Sequence, residues 1–385
     1  LWTRIDNYKS IDRVISWGSG GYEVNNDPGQ ISTYEITSLV MTLKNDDNLF
    51  NIESDSNSFW YDEFTYIRNL SKIQIVAGYF DDDGTEIGVV PVFEGILEKP
   101  TINPDGTVSI TALSYLSILQ QYDYSDLGLS GQDPVSSIIN AIMNQTKITE
   151  FIPYIASVPD QDVAIDVTKI SGTYWNVIKT LAYVSNSIPI LENNVWAFKK
   201  REIGVSSVWD FAGGGSSKGD EIYDILSYDE EGAERAAVYW KNSESGSSLT
   251  AISTSSLLLT RYLNNSYEID LSMLKHNSEK QDVLNANLNL WEVPKPIIEF
   301  SCRMMVDQVS PLDMITIEYP GRYNRSNSGD GFIWGAWTWG DGSLWGKLEG
   351  GINIFSGVNW MITKVMHDFD SWQTTIKCER QVTIS

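Results

Sequence analysis

Apolar and polar side chains alternate in several runs within the first 120 or so residues. Between Ile31 and Lys44 the apolar residues fall mostly at every second position, and a run of Asn and Asp residues then ends the pattern. Two further runs, Ile73–Phe80 and Ile87–Phe93, flank an Asp-Gly step that favours a tight hairpin turn, and Thr107–Ala112 alternates again. Alternation with a period of two is typical of half-buried strands, so this part is predicted to form an antiparallel β domain.

Helical spacing replaces this alternation after residue 133. Apolar residues lie three or four positions apart in two segments, which contain Val135, Ile138, Ile139, Ile142 and Met143, then Tyr174, Val177, Ile178, Leu181, Ala182 and Val184. Asp133 suits the N-cap of the first helix and Pro134 its first position. The apolar runs 187–191 and 195–199 predict a hairpin after the second helix, so a small α+β domain is expected.

Strand-like runs return in the last third of the chain, after a segment of helical character at 278–291. They are Ile297–Met305, Met314–Tyr319, Trp360–Asp368 and Gln373–Arg380. The fold class predicted from these patterns is mainly β (α+β), with two antiparallel β domains. The predicted parts are a first β domain at 1–124, a small α+β domain at 125–205, a second β domain formed by 206–250 and 294–385, and a helical or irregular insert at 251–293.

The charge of the chain is strongly negative. Its 27 Lys and Arg residues face 51 Asp and Glu residues, which gives a formal charge of −24. Such a balance repels phosphate groups, so specific nucleic-acid binding is not expected. The absence of an apolar run of about 18 residues also predicts no membrane insertion by this chain. The chain begins with Leu1 rather than Met, which is compatible with a longer gene product.

Residues for nucleophilic or metal chemistry are scarce in the sequence. His276 and His367 are its two histidines, and Cys302 and Cys378 its two cysteines. These residues do not reproduce a zinc-binding spacing or a GxSxG nucleophile motif. We therefore expect no catalytic residue, no cofactor and no metal site. The cysteines are expected to be buried free thiols, His367 a structural residue and His276 an exposed one.

Carboxylates are too numerous for any pair to identify a catalytic site. Glu94, Asp313 and Asp368 each neighbour a strand, and solvated or turn-capping roles are expected for them. The cluster Asp81–Asp83 resembles the start of a calcium loop. It lacks the alternating ligands and the distal glutamate of such a loop, so it is predicted to be a turn.

A stretch rich in tryptophan and glycine follows residue 331. Residues 332–351 read FIWGAWTWGDGSLWGKLEGG and contain Trp334, Trp337, Trp339 and Trp345. Three roles are open for these rings: a contact with another subunit, packing within the domain, or stacking on a glycan. The subunit contact is the favoured hypothesis, because several indoles facing water would promote aggregation.

Three passages resemble the baseplate hub and tail-tip hub proteins of tailed bacteriophages. They are VFEGILEKPTINPDGTVSITALSYLSIL at Val92–Leu119, EITSLVMTLKNDDNLFN at Glu35–Asn51, and the terminal hairpin Trp360–Arg380 with its His367 and Trp372. Gly172–Arg201 is similar to the second domain of that family, a helix followed by a strand pair that ends in basic residues. The insertion 323–357 departs from the family pattern.

The resemblance implies a virion structural protein with two β-barrel domains like those of tail tubes. In that role a homotrimer would close the distal end of the tail tube and adapt its six-fold symmetry to three-fold tip components, with DNA passing through the lumen. The trimer is expected to assemble through open strand edges near Ile73–Phe80 and Gln373–Arg380. The implied partners are the tail tube or distal tail protein, the tape measure protein and a central fibre or spike. The implied location is the virion tail, after assembly in the host cytoplasm.

Two alternatives remain open from the sequence. A carbohydrate-binding or glycan-degrading tail component would use the tryptophan-rich stretch and a pair of carboxylates. The hub of a secreted injection system would share the same fold and differ in its biological context.

Overall fold

The computed structural model describes most strands and helices of the chain. The described residues are 13–25, 33–36, 38–48, 50, 72–80, 86–98, 100–152, 163–192, 195–200, 205–213, 221–231, 237–241, 246–252, 266–291, 295–304, 308–319 and 359–380. The fold is mainly β with few helices, and its sheets curl into half-barrels. This confirms the predicted fold class.

The described residues among the first 113 contribute eight strands. They are β1 (Val14–Ser16), β2 (Ser19–Asn25), β3 (Thr33–Ile36), β4 (Leu39–Lys44), β5 (Lys72–Phe80), β6 (Glu86–Leu97), β7 (Thr101–Ile102) and β8 (Thr107–Leu113). A six-stranded sheet has the order β1-β4-β8-β6-β5, with β7 beside β8. β2 belongs to another sheet, in which it pairs with β3 and with the strand Asn359–Asp368. In β4 and β8 every second side chain is buried. The predicted alternation is thus confirmed there.

Helices follow, the first of them just before the section predicted to be α+β and the others within it. The elements are α1 (Leu116–Leu119), β9 (Gln132–Pro134), α2 (Val135–Met143), α3 (Thr146–Thr149), β10 (Ala164–Asp166), α4 (Tyr174–Val184), β11 (Ser187–Glu192) and β12 (Val195–Lys200). The hydroxyl of Thr173 accepts a hydrogen bond from the Asn176 amide and caps α4. The predicted hairpin is confirmed, since β11 pairs antiparallel with β12.

The start of α2 differs from the prediction by one residue. Pro134 occupies the N-cap, and α2 has no side-chain cap. Asp133 is not the cap, because it belongs to β9 and pairs with Ile165 of β10. Strand pairing therefore holds Asp133 in an extended conformation one position before the N-cap.

The remaining elements run from residue 209 to residue 380. They are β13 (Trp209–Ala212), β14 (Ile222–Glu231), β15 (Ala237–Lys241), β16 (Ser248–Ile252), β17 (Ser266–Glu268), α5 (Asn277–Trp291), β18 (Lys295–Arg303), β19 (Met314–Glu318), β20 (Asn359–Asp368) and β21 (Gln373–Arg380). β15 lies between β16 and β17 in a three-stranded sheet, and α5 packs against β15 and β16. The other strands have the order β13-β19-β20-β21-β18-β14.

The chain divides into two compact units. Unit 1 contains residues 1–201, 232–294 and 366–372, and unit 2 contains residues 202–231, 295–365 and 373–385. The division into four parts that the sequence suggests stays a prediction.

The sheet of unit 2 curls until its two end strands meet. Gly213, directly after β13, forms a parallel bridge with Ile222 at the start of β14. The Glu221 amide donates to the carbonyl of Ala212 at 2.8 Å, and the Arg303 amide donates to the carbonyl of Glu221 at 3.3 Å. A side chain at position 213 would be too close to its neighbour, because its Cβ would lie 2.7 Å from Ile222 Cβ. Glycine therefore permits this junction.

The interior of unit 2 is a single apolar cluster. Its buried members are Phe211, Ile222, Ile225, Ile298, Phe300, Cys302, Val309, Ile315, Ile317, Tyr319, Trp360, Ile362, Val365, Ile376 and Cys378. They come from all six strands and from residues on either side of β19, so burial of this cluster depends on the curl of the sheet.

We expect Gly213→Ala to destabilise unit 2 by about 1–3 kcal/mol, because the added methyl group must displace backbone atoms of Ile222. Gly20→Ala is the matched control, since a Cβ there would make ordinary contacts of 3.4 Å or more. Urea denaturation followed by circular dichroism measures both. Equal midpoints for the two variants would contradict the steric role of Gly213.

Candidate assembly surfaces

The four tryptophans predicted to contact another subunit lie outside the described residues. They are Trp334, Trp337, Trp339 and Trp345, within the stretch 320–358. Their role stays a prediction, so the described strands must supply any structural candidate for an assembly surface.

Among the strands that the structure describes, β14 has a neighbour on one side only over most of its length. Its inner neighbour is β18, which pairs with it from Ile222 to Glu231. On the outer side, the described part of the chain meets it only through the bridge between Gly213 and Ile222. Exposed edge strands offer unpaired backbone groups to another chain, so this edge is a candidate for subunit contact.

Two β-bulges turn apolar side chains of β14 outwards. The register with β18 skips Tyr223 and then Leu226, so each is the extra residue of a bulge. Tyr223 is 54% exposed and Leu226 is 53% exposed. Their neighbours Ile222 and Ile225 remain in the core. The bulges thus display two large apolar groups without removing core contacts.

A glutamate at the start of β14 fixes this end of the strand. The indole N–H of Trp209 donates to Glu221 Oε2 at 3.3 Å. Arg303 Nη2 donates to Glu221 Oε1 at 2.9 Å and forms an ion pair with it. Charge-assisted hydrogen bonds of this kind hold β14 in position relative to its two neighbours.

The second open edge belongs to β5 in unit 1. β5 is the end strand of its sheet, and β6 is its one partner among the strands that the structure describes. Val76 in β5 is 49% exposed. The same sheet also exposes Ile15, Val40 and Ile102, from β1, β4 and β7. Unit 1 therefore has both an open edge and exposed apolar side chains.

The sequence suggested 73–80 and 373–380 as open edges, and the second of these is wrong. β21 lies inside its sheet, between β20 and β18. It pairs with β18 through seven consecutive residues, from Ile297 with Glu379 to Arg303 with Gln373. The strand at this edge of the sheet is β14 instead.

The turn between β20 and β21 is anchored by a carboxylate. Asp370 accepts hydrogen bonds from the Ser16 hydroxyl at 2.6 Å and from the Trp17 amide at 2.8 Å. The bond from Ser16, with those from the Trp17 and Gly18 amides, lowers the pKa of the Asp370 carboxyl. The Phe369 amide donates to the carbonyl of Gly18, which adds a backbone contact. Residues 366–372 are thereby attached to the segment between β1 and β2.

His367 and the two cysteines are core residues rather than reactive groups. Burial lowers the pKa of His367 to about 4, so the imidazole is neutral at pH 7. Cys302 and Cys378 are buried free thiols, as predicted. Burial raises the pKa of Cys302 to about 12 and that of Cys378 well above its usual value. Thiolates are therefore disfavoured at both positions. His276 is exposed, as predicted.

The three carboxylates considered from the sequence have different environments. Asp313 accepts from the Ser310 amide at 2.8 Å, and Asp368 accepts from the hydroxyl of Ser371 at 2.6 Å, so both cap turns as predicted. Glu94 is different: it accepts a hydrogen bond from Gln74, and burial raises its pKa. Glu94 does not cap a turn, because it lies half-buried within β6 beside β5.

Metal sites and membrane-spanning helices each have a pattern against which the described residues can be compared. Within the described ranges, no group of three or more His, Cys, Asp or Glu side chains is arranged to hold a metal ion. No helix among the described elements is long and apolar enough to cross a membrane.

Comparison with known proteins finds solved structures that are similar to the structure of this chain. A tail protein from Neisseria meningitidis MC58 superposes with a TM-score of 0.53 at 12% identity, over 94% of this chain and 92% of that chain. The 43 kDa tail protein of prophage MuSo2 from Shewanella oneidensis superposes with a TM-score of 0.51 at 10% identity, over 95% of this chain and 97% of that chain. The chain shares the fold of these two tail proteins. No protein-family model and no curated protein matches its sequence.

We expect Asp370→Asn to lower the free energy of unfolding by about 1 kcal/mol at pH 7, a value that allows for solvent screening. The folded-state pKa of Asp370 is lowered, so its stabilisation is present above the unfolded-state pKa, near 4, and is lost as pH falls through the folded-state pKa. The difference between wild type and variant should therefore shrink below about pH 4.

Denaturation at several pH values measures this difference. Asp282→Asn is the matched control, because Asp282 is exposed on α5. If the difference in free energy of unfolding between wild type and Asp370→Asn stays constant as the pH falls below 4, the proposed role of the carboxylate charge is contradicted.

Proposed function

We propose that the chain is a structural protein of a bacteriophage tail and that it forms the hub at the baseplate or tail tip. Three copies would close the distal end of the tail tube as a ring, with DNA passing through the lumen. The observation that carries this proposal is the shared fold with two tail proteins over more than 90% of each chain. The resemblance of three sequence passages to hub proteins supports the more specific role.

The arrangement of the strands is consistent with ring assembly. Each unit contains a curled sheet with one long open edge, β5 in unit 1 and β14 in unit 2. Open edges need pairing or cover, and closure into a ring supplies it. Three protomers with two curled sheets each would place six sheets in the ring, and this number suits contact with a six-fold tube.

The charge of the chain supports passage of DNA rather than binding of DNA. A formal charge of −24 repels phosphate groups, so a lumen lined by acidic side chains would reduce adhesion of the genome during ejection. The proposed partners are the tail tube or distal tail protein above the ring, the tape measure protein in its lumen, and a fibre or spike below.

The oligomeric state tests the proposal directly. We expect the purified chain, alone or with its tail neighbours, to form a trimer of about three times 43.3 kDa at micromolar concentration. Mass photometry measures the mass, and negative-stain images of the same sample should show three-fold rings. Monomers in the presence of the tail neighbours, or rings of another symmetry, would contradict the hub role.

The tryptophan-rich stretch provides a second test. We expect the double variant Trp337→Ala and Trp339→Ala to weaken assembly at least about tenfold while leaving the monomer folded, because buried indoles dominate many protein contacts. Mass photometry over a dilution series measures the effect, and Trp372→Ala is a control of the same residue type at an exposed position. Normal assembly together with lost binding to host cells would favour the glycan-binding role instead.

A further inference from the structure

We propose that the outer edge of β14 in one copy of the chain binds the outer edge of β5 in a second copy. This inference rests on the proposed function, since it names the surfaces that would join neighbouring subunits of the ring. It is carried by the two bulges of β14, by the charge of the strand and by the properties of β5.

The bulges of β14 give its outer side the character of a contact surface. Tyr223 and Leu226 each expose more than half of their surface. Each is the extra residue of a bulge, so the strand directs them away from the core in which Ile222 and Ile225 lie. Bulges re-aim side chains, and tyrosine is one of the residue types enriched among the dominant residues of protein contacts.

The charge of β14 argues against pairing with itself. The strand reads IYDILSYDEE, so it carries four acidic residues and no basic residue. In a two-fold contact between two β14 edges, the acidic residues of one strand would lie beside the acidic residues of the other. Like charges on paired strands are destabilising. The occupant of this edge is therefore a different strand, with neutral or basic composition.

β5 has the length and charge that this edge requires. It reads KIQIVAGYF, with one lysine and no acidic residue. It has nine residues and β14 has ten, and β5 is the longest edge strand besides β14 in the described part of the chain. Val76 supplies an exposed apolar group to meet Leu226.

The direction of pairing follows from the charges. If the strands pair antiparallel with Val76 beside Leu226, then Lys72, four residues before Val76, lies near Glu230, four residues after Leu226. Lys72 would thus approach the acidic end of β14. A contact between unlike edges is heterologous, so repetition generates a closed ring or an open fibre rather than a two-fold dimer.

The competing edge in unit 1 is less suitable. β1 is the other end strand of its sheet and exposes Ile15, but it has three residues. The hydroxyl of its last residue, Ser16, already binds Asp370. A strand of this length leaves most of β14 without a partner.

Disulfide trapping between two variants that each carry one added cysteine tests the contact. Leu226→Cys is mixed with Val76→Cys, one of them carrying a mass tag, and the mixture is oxidised and analysed by non-reducing electrophoresis. We expect the mixed dimer to exceed either same-variant dimer at least about tenfold. Cys302 and Cys378 are buried with raised pKa values, so they should contribute little background.

The matched control replaces Leu226→Cys with Ile252→Cys, at an apolar position of β16 that is 58% exposed. The inference would be overturned if Ile252→Cys formed as much mixed dimer with Val76→Cys as Leu226→Cys does. It would also be overturned if Leu226→Cys formed mainly dimers with itself. Rings of wild-type protein without mixed trapping would overturn it and leave the proposed function standing. Monomeric wild-type protein in the presence of the tail neighbours would overturn both.

A second variant measures the same surface without added cysteines. We expect Tyr223→Ser with Leu226→Ser to weaken assembly at least about tenfold. Because both side chains are exposed, the monomer should keep its denaturation midpoint, and Ile252→Ser serves as the control. Assembly equal to wild type in a folded double variant would overturn the inference.

Discussion

The close approach of β13 and β14 at Gly213 is the constraint on which unit 2 depends. An open sheet has two end strands. Here β13 pairs parallel with β19 and the other neighbouring strands pair antiparallel, and the curl of six strands brings the two end strands together at one point, where a glycine leaves room for Ile222. β13 ends at Ala212, whereas β14 continues from Ile222 to Glu231. The same junction therefore completes the apolar core and leaves the rest of β14 without a described strand on its outer side, where another chain could pair with it.

Unit 1 is held together by contacts between distant segments. Asp370 and Ser16 are 354 positions apart, yet their side chains form a hydrogen bond of 2.6 Å. The bonds from the Trp17 and Gly18 amides surround the same carboxylate with further donors. A single acidic side chain thus attaches a turn near the end of the chain to the first described strands, and the free energy of that attachment depends on its ionised form.

The side chains that the sequence offers for catalysis have structural roles or exposed positions in the described part of the molecule. Its described histidine and cysteine side chains are either buried in apolar surroundings or, for His276, exposed. Acidic residues are abundant, but those considered as catalytic candidates cap turns or lie within a strand. The distinctive surface features are instead open strand edges and exposed aliphatic and aromatic groups, which are suited to contact between protein chains.

The sequence by itself determined the local elements, and the tertiary structure decided which of them are edges. Alternation with a period of two predicts β4, β8, β18 and β21, and helical spacing predicts α2, α4 and α5, because these periods reflect which side of one element is buried. The edge positions were not predictable in this way. Residues 373–380 form an internal strand, because β21 has β20 on one side and β18 on the other, and β18 lies some 72 positions earlier in the chain. β14 is an end strand of the same sheet. Likewise, the bulges at Tyr223 and Leu226 and the burial of Glu94 depend on neighbouring strands, and a pattern within one strand does not specify its partners.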